Sequence, residues 1–369
     1  MTDNRPSETS GTPTGVRPTD PAPKQKKLQA RWLRSLRRSP IAIAGFAIIG
    51  FFLVIVAFAP FLAPYSPTRQ TLRSLYVPPG LGVSLRGPEG QLGLWVSEVS
   101  RTSAGELQVG DTLYPVRFFV RGERWTWFGG LLSSEMKLFG VDGPARFYVL
   151  GTDEQGRDLL SRIIHGAWIS LSIGLITIGI GIGVGVPVGA LSGYFAGTTD
   201  LIVQRVIDTM LAFPGILLAI VLVATFGTGL RNVMIAVGIA SIPVYARLVR
   251  ASVMTVRDRE YVEAARALGR RPVSTLARHV MPNVLAPIIV QSSLQMAVAI
   301  LFAAGLGFLG LGARPPQPEW GLMLSRGRDF LAVAPHVATS PGLAIVLVVM
   351  GFNLVGDALR DALDPRAVR

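Results

Sequence analysis

The chain alternates between long apolar stretches and shorter polar ones. Residues 41–64 carry no charge and are long enough to cross a bilayer as a helix. Comparable apolar stretches lie within 163–199, from about 200 to 226, and over 232–252, 285–309 and 341–355, the third carrying Asp200, Arg205 and Asp208 and the fourth Arg247 and Arg250. This pattern predicts an all-α polytopic membrane protein with six spans. In the third, Arg205 and Asp208 stand one turn apart, close enough to pair, and Pro214 predicts a kink. Polar character returns mainly in 65–150, 257–283 and 310–340.

Within the second span, Gly181, Gly185, Gly189 and Gly193 recur on one helix face, where they allow another backbone to approach closely. In the fifth, Gln291, Ser292, Ser293 and Gln295 lie in the half nearest the 257–283 segment. Polar groups at that depth either bond neighbouring helices or line a path, and the sequence leaves both open.

The 257–283 segment is a charged island between spans. Tyr261, Ala264, Ala265 and Leu268 have helical spacing on one face, with Glu260, Glu263 and Arg266 alongside. Gly269 is placed to end this helix, and Pro272 to begin another. Val273, Leu276, Ala277 and Val280 give the second helix an apolar stripe, and Pro282 is expected to close it. The expected unit is a helix, a glycine elbow and a helix.

Residues 1–28 are rich in Pro, Thr, Ser and Gly and are expected to be a disordered tail. Residues 29–64 form a basic anchor and the first span. Segment 65–150 is expected to be a small β-leaning insert, with a strand over 115–121, a turn at Gly110-Asp111 and a core including Phe118, Trp125, Trp127 and Phe128. Its arginines Arg86, Arg101, Arg117, Arg121 and Arg124 could steer an acidic partner; a simple cover over the spans is the alternative. Residues 151–369 form the five-helix core. At its start, Thr152 and Gln155 suggest a capping box, with Asp153 and Glu154 suited to the N-terminus of a short surface helix edged by Leu159, Leu160, Ile163 and Ile164. Capping accounts for these carboxylates better than an acidic catalytic pair.

Half the residues are hydrophobic and only 16% are charged, below the ~25% of soluble proteins. The net charge of +13 would allow a nucleic-acid partner, but the cations cluster beside the apolar stretches. That placement is membrane anchoring, with no nucleic acid implied. Lys24, Lys26, Lys27, Arg31, Arg34, Arg37 and Arg38 precede the first span and place the N-terminus in the cytoplasm. Six spans then return 257–283 and the tail carrying Asp357, Arg360, Asp361, Asp364 and Arg366 to the same side, leaving the insert outside. Arg257, Arg259, Arg266, Arg270, Arg271 and Arg278 in the loop agree with this, as do Arg247 and Arg250 at the end of the fourth span. There is no cysteine, and His165, His279 and His336 are too scattered to suggest a metal site. No phosphate-binding P-loop motif occurs, so the chain is expected to bind no cofactor itself.

Glu263-Ala264-Ala265, Gly269 and Met281-Pro282 at their spacing resemble the cytoplasmic coupling loop, or EAA loop, of ABC-importer permeases. His279 stands where that family has a hydrophobic residue. With its flanks, the chain is similar to the dipeptide/oligopeptide (peptide/nickel) branch over roughly 30–65 and 148–369, and its N-terminal extension is typical of the second, C-type permease. That branch often has an acidic residue near the start of the stretch that here reads Phe302-Ala303-Ala304-Gly305-Leu306-Gly307-Phe308.

The resemblance implies a non-enzymatic subunit in the inner membrane of a prokaryote. It would form a heterodimer with a second permease and take di- or oligopeptides from an extracytoplasmic binding protein. Two ATP-binding subunits would bind ATP and Mg. It also implies ATPase coupling through Glu263, Ala264, Ala265, Leu268, Gly269 and Pro282. Nickel and some glycosides are carried by relatives of the same branch. A secondary transporter or channel is the alternative, but it calls for ionisable residues at mid-membrane, which these spans almost lack. An intramembrane hydrolase would need a partner for His165 or His336 that the sequence does not supply.

Overall fold

The apolar stretches fold as long helices because a backbone in lipid must satisfy its own hydrogen bonds. The computed structural model describes residues 36–102, 105–127 and 132–363. The expected N-terminal tail, most of the basic run, Phe128, Asp364 and Arg366 lie outside them. Helix α1, Pro40–Ala57, is capped by Ser39, whose side chain accepts from the Ala42 amide, and Pro40 occupies the first turn. A short helix α2, Ala59–Leu62, follows.

The insert holds four antiparallel strands in sequence order: β1 (Val83–Arg86), β2 (Leu92–Arg101), β3 (Leu107–Trp127) and β4 (Leu132–Val141). β3 pairs with β2 along its first half and with β4 along its second. The expected turn at Gly110-Asp111 is instead part of β3. Pairing jumps there from Val99↔Val109 to Ser97↔Leu113, so a bulge absorbs both residues. The expected core is also displaced. Phe118 is 68% exposed, while the buried cluster is Val77, Val99 and Tyr148, where β2 meets the loops that flank the sheet.

The remaining helices are α3 (Leu159–Ile180), α4 (Val186–Phe195), α5 (Gly197–Leu211), α6 (Gly215–Phe226), α7 (Leu230–Arg257), α8 (Glu260–Ala267), α9 (Pro272–Thr275), α10 (Met281–Phe308), α11 (Trp320–Arg328) and α12 (His336–Leu363). A π turn at Gly181–Gly185 joins α3 to α4, and another at Leu276–Val280 joins α9 to α10. Among the described residues, five continuous helices are long and apolar enough to cross a membrane, or six if the bent pair α5–α6 counts as one broken span.

Several local expectations change. Asp158, not Thr152, caps α3, accepting from the Ser161 amide at 2.8 Å. Thr152 instead ties the insert down: its hydroxyl donates to the Ser74 carbonyl and accepts from the Val77 amide. The expected surface helix is simply the start of α3. Pro214 breaks the third span outright, with an 89° bend, because it lacks an N–H and leaves the helical region at ψ 133°. Pro282 does not close a helix. It lies in the first turn of α10, and the chain passes through the preceding π turn without ending. The sixth span runs on to Leu363, so Asp357, Arg360 and Asp361 belong to α12.

Candidate functional site

Helix α8 starts with Glu260 and Glu263 in its first turn, where the helix dipole favours acids. It ends in a Schellman motif. The Gly269 amide donates to the Arg266 carbonyl at 2.9 Å, and the Arg270 amide donates to the Ala265 carbonyl at 3.3 Å. Gly269 has φ +75°, a conformation that costs other residues energy, and this sets the elbow.

The inward face of α8 differs from the expected one. Val262 and Ala265 are buried, and Val262 belongs to a cluster with Tyr194, Tyr245, Val249, Val253, Leu276 and Val280. Tyr261 and Ala264 face outward, as does Leu268 at 87% exposure. Beyond the elbow, Leu276 and Val280 are buried, while Ala277 is exposed and Val273 is 64% exposed. The unit therefore has one face sealed to the bundle and one apolar ridge open. Among the described residues Glu260 and Glu263 form no ion pair, despite the arginines nearby. Arg266 turns instead to Tyr194, with its guanidinium 4.9 Å from the ring centre and Nε donating to the hydroxyl at 3.3 Å.

Behind this unit lies the glycine face. A Cβ on Gly185 would stand 2.7 Å from the Ile242 carbonyl of α7, and one on Gly193 would stand 2.7 Å from the Arg250 carbonyl. At Gly189 it would collide with the Ala246 carbonyl, and at Gly181 with Ser241 and Tyr245. All these glycines abut the same helix.

The polar residues of α10 have separate roles. Ser292 accepts from the Tyr245 hydroxyl at 3.1 Å, and so joins α10 to α7. Its hydroxyl also donates to the Ile288 carbonyl, and that of Ser293 to the Val290 carbonyl, within the helix. Gln295 is buried and Gln291 half-buried.

Residues 185–369 match the family described as binding-protein-dependent transport system inner membrane component. The chain belongs to that family. It is a transmembrane permease subunit of the ABC-importer type. Residues 29–79 match the N-terminal TM domain of oligopeptide transport permease C. The permease is 47% identical over 226 residues to a dipeptide transport system permease of Alkalihalophilus pseudofirmus, covering 61% of this chain and 74% of the relative. It is 50% identical over 224 residues to a di/tripeptide transport system permease of Pseudomonas aeruginosa, with coverage of 61% and 74%. A glutathione transport system permease of Pectobacterium atrosepticum is 48% identical over 225 residues, with coverage of 61% and 75%. Among solved structures, an inward-facing methionine ABC transporter superposes with TM-score 0.48 at 18% identity, over 56% of this chain and 98% of that one.

Two features of the permease were not visible as pairs in the sequence. Arg205 does not pair with Asp208 in the structure. Asp208 accepts from Arg247 of α7 at 2.6 Å, and Asp200 takes a bidentate pair from Arg250, both bonds at 2.6 Å. Ser192 and Gln204 extend this clamp, joining the end of α4 to α5. At the other end of the bundle, Glu319 caps α11, accepting from the amides of Gly321 and Leu322 at 2.7 Å each. Burial pushes this carboxyl up to about 7, against the pull of those two bonds. The signal that could have revealed it is an acid directly before Trp320 at the end of a proline-rich run.

Proposed function

We propose that this permease carries di- or oligopeptides and that α8 couples it to a separate ATPase. The observation that carries the coupling reading is the two-sided packing of α8. Val262 and Ala265 lock it to the bundle, while Tyr261, Leu268 and Val273 leave an apolar ridge uncovered beside an unpaired Glu263. A ridge of that kind fits a groove on a cytoplasmic partner, with Glu263 bonding at the rim. Ala264 permits close approach, Ala265 seats the helix, and Gly269 fixes the angle between α8 and α9. Pro282 starts the span that follows.

The partner supplies ATP and Mg binding, and two such subunits serve a heterodimer of this chain and a second permease. Closure of the ATPases moves α8 as a rigid body, and the glycine-packed pair α4–α7 carries the motion into the spans. Access to the path then alternates, with substrate delivered by an extracytoplasmic binding protein. Both termini and α8 lie on the cytoplasmic side in this scheme. The relatives named for dipeptides, di/tripeptides and glutathione support a short peptide as cargo.

Glu263→Arg tests the coupling. The variant should insert at normal abundance but lose peptide-stimulated ATP hydrolysis when reconstituted with its partners. Unchanged stimulation would remove Glu263 from the coupling surface. Uptake of a labelled dipeptide by the unmodified complex tests the cargo.

A further inference from the structure

The insert touches the membrane-spanning part of the chain at a height that can be estimated. Helix α1 has 18 residues, so at 1.5 Å per residue it covers about 27 Å, close to the ~30 Å hydrocarbon thickness of a bilayer. Its sides are apolar and open: Phe46, Phe51, Leu53 and Val54 are each about half exposed. Residues of α2, immediately beyond, therefore lie at the level of the lipid headgroups.

The β3–β4 ribbon rests on this level. The Lys137 ammonium donates to the Pro60 carbonyl at 2.8 Å, and the Phe119 ring lies 6.3 Å from that of Phe61. Phe119 reaches this position through a backbone φ of +56°, which is unfavourable for a bulky side chain. Even so, the ring is not buried by the protein. Phe119 remains 63% exposed, Phe118 is 68% exposed, and Met136, opposite Arg121 in the ribbon, is 48% exposed. The open apolar surface of α1 thus continues past the end of the span onto the ribbon. Arg121, which forms no ion pair among the described residues, stands at its edge.

Lipid is the occupant that this continuity favours. Phe rings favour the acyl side of the boundary between headgroups and chains, as on the apolar face of interfacial segments, and a guanidinium there can pair bidentately with phosphate. A protein partner is less well supported, because nearby charges are already internally matched. Arg69 pairs with Glu123, and Arg117 with Asp142. We propose that the base of the β3–β4 ribbon is a membrane-contact surface, in which Phe118 and Phe119 enter the leaflet where α1 ends and Arg121 meets phospholipid phosphate. This inference needs only that α1 crosses the membrane. It holds whichever cargo is carried and whichever side the insert occupies.

The absence of cysteine makes the test direct. Single variants Phe118→Cys and Phe119→Cys are labelled with a nitroxide in the full-length permease, in vesicles of phosphatidylethanolamine and phosphatidylglycerol. Leu92→Cys serves as the aqueous reference because Leu92 is 88% exposed at the start of β2, which pairs with β1 and β3, whereas the contacts with α2 come from Lys137 of β4 and Phe119 of β3. Collisions with oxygen should exceed those with a water-soluble nickel chelate at 118 and 119, with the reverse at 92. If either aromatic substitution prevents folding, Met136→Cys reads the same surface. Labels as accessible to nickel as the one at 92 would overturn the proposal. So would labels shielded from both reagents, which would mean burial in protein, or labels shielded only after a binding protein is added.

Discussion

Helices α4 and α5 both pack on α7, by opposite means. Where α4 and the π turn before it meet α7, Gly185, Gly189 and Gly193 bring one backbone against carbonyls of the other, flanked by an apolar cluster of Val186, Ala190 and Tyr194 with Tyr245, Val249 and Val253. Helix α5 buries only Ile207 among its fifteen residues, leaves Leu201, Ile202 and Val206 exposed, and is held by Asp200–Arg250 and Asp208–Arg247. The first contact is short-range and insensitive to charge. The second is directional and can be undone one pair at a time.

The seam should fail most severely. Gly189→Leu places side-chain atoms where the Ala246 backbone stands, and neither helix can yield without moving the whole span. Overpacking of this kind costs about 1–3 kcal/mol in a soluble core and more against backbone. Most folded, monodisperse protein should be lost in size-exclusion chromatography. Gly183→Leu, which faces open space in the π turn before α4, should leave the profile unchanged. Equal behaviour of the two variants would refute the close-packing account.

The clamp should give a smaller effect. Arg250→Ala leaves Asp200 with Ser192 as its remaining tie and should destabilise by about 1–3 kcal/mol, read from thermal unfolding in detergent. Asp200→Ala should add little on top, since both variants remove the same pair. Additive losses would mean that each residue acts alone.

A buried carboxyl at the far end of the bundle sharpens the contrast, since it depends on pH where the glycine seam does not. Glu319 has its folded pKa raised from 4.5 to about 7 by burial. The folded state therefore holds a proton that the unfolded chain releases, and stability falls as pH rises from about 4.5 through about 7. The effect should be about 3 kcal/mol in a melting series across that window. Glu319→Gln should flatten the slope, and a slope that persists in the variant would assign it to another group.

The smallest change is expected at Arg247→Ala. Both partners of that pair are more than half exposed. Its loss should cost under about 1 kcal/mol and fade further in high salt.

The sequence revealed the spans clearly, because lipid imposes length and apolar character on each one, with the few charges of the third and fourth kept near their ends. It also located α8 and its elbow, since Gly269 and Pro272 act through their own backbones. It did not reveal which side of α8 is sealed. Tyr261 and Leu268 have the same helical period as Val262 and Ala265, and periodicity cannot distinguish a face closed by the chain itself from one left open. The pairing of Asp208 with Arg247 was hidden for a related reason. Arg205 is the neighbour in sequence, but the sharp break at Pro214 sets how α5 lies against α7. In the insert, Gly110-Asp111 has a composition shared by turns and bulges, and only the partner strand decides between them. The structure also corrected Thr152, whose hydroxyl was already engaged by Ser74 and Val77 across the loop.

The π turn at Gly181–Gly185 has a consequence for how the second span tolerates changes in its length. Such a turn holds one residue more than an α turn of equal rotation. Deleting Gly183, whose missing side chain faces open space, would convert the turn to regular helix. The faces of α3 above and α4 below would keep their relative phase, so Gly189 would still meet Ala246. Deleting a residue such as Ile176 from the regular part would rotate everything beyond it by about 100° and turn the glycines away from α7. The irregular turn is therefore the one place where this span can lose a residue and keep its partner.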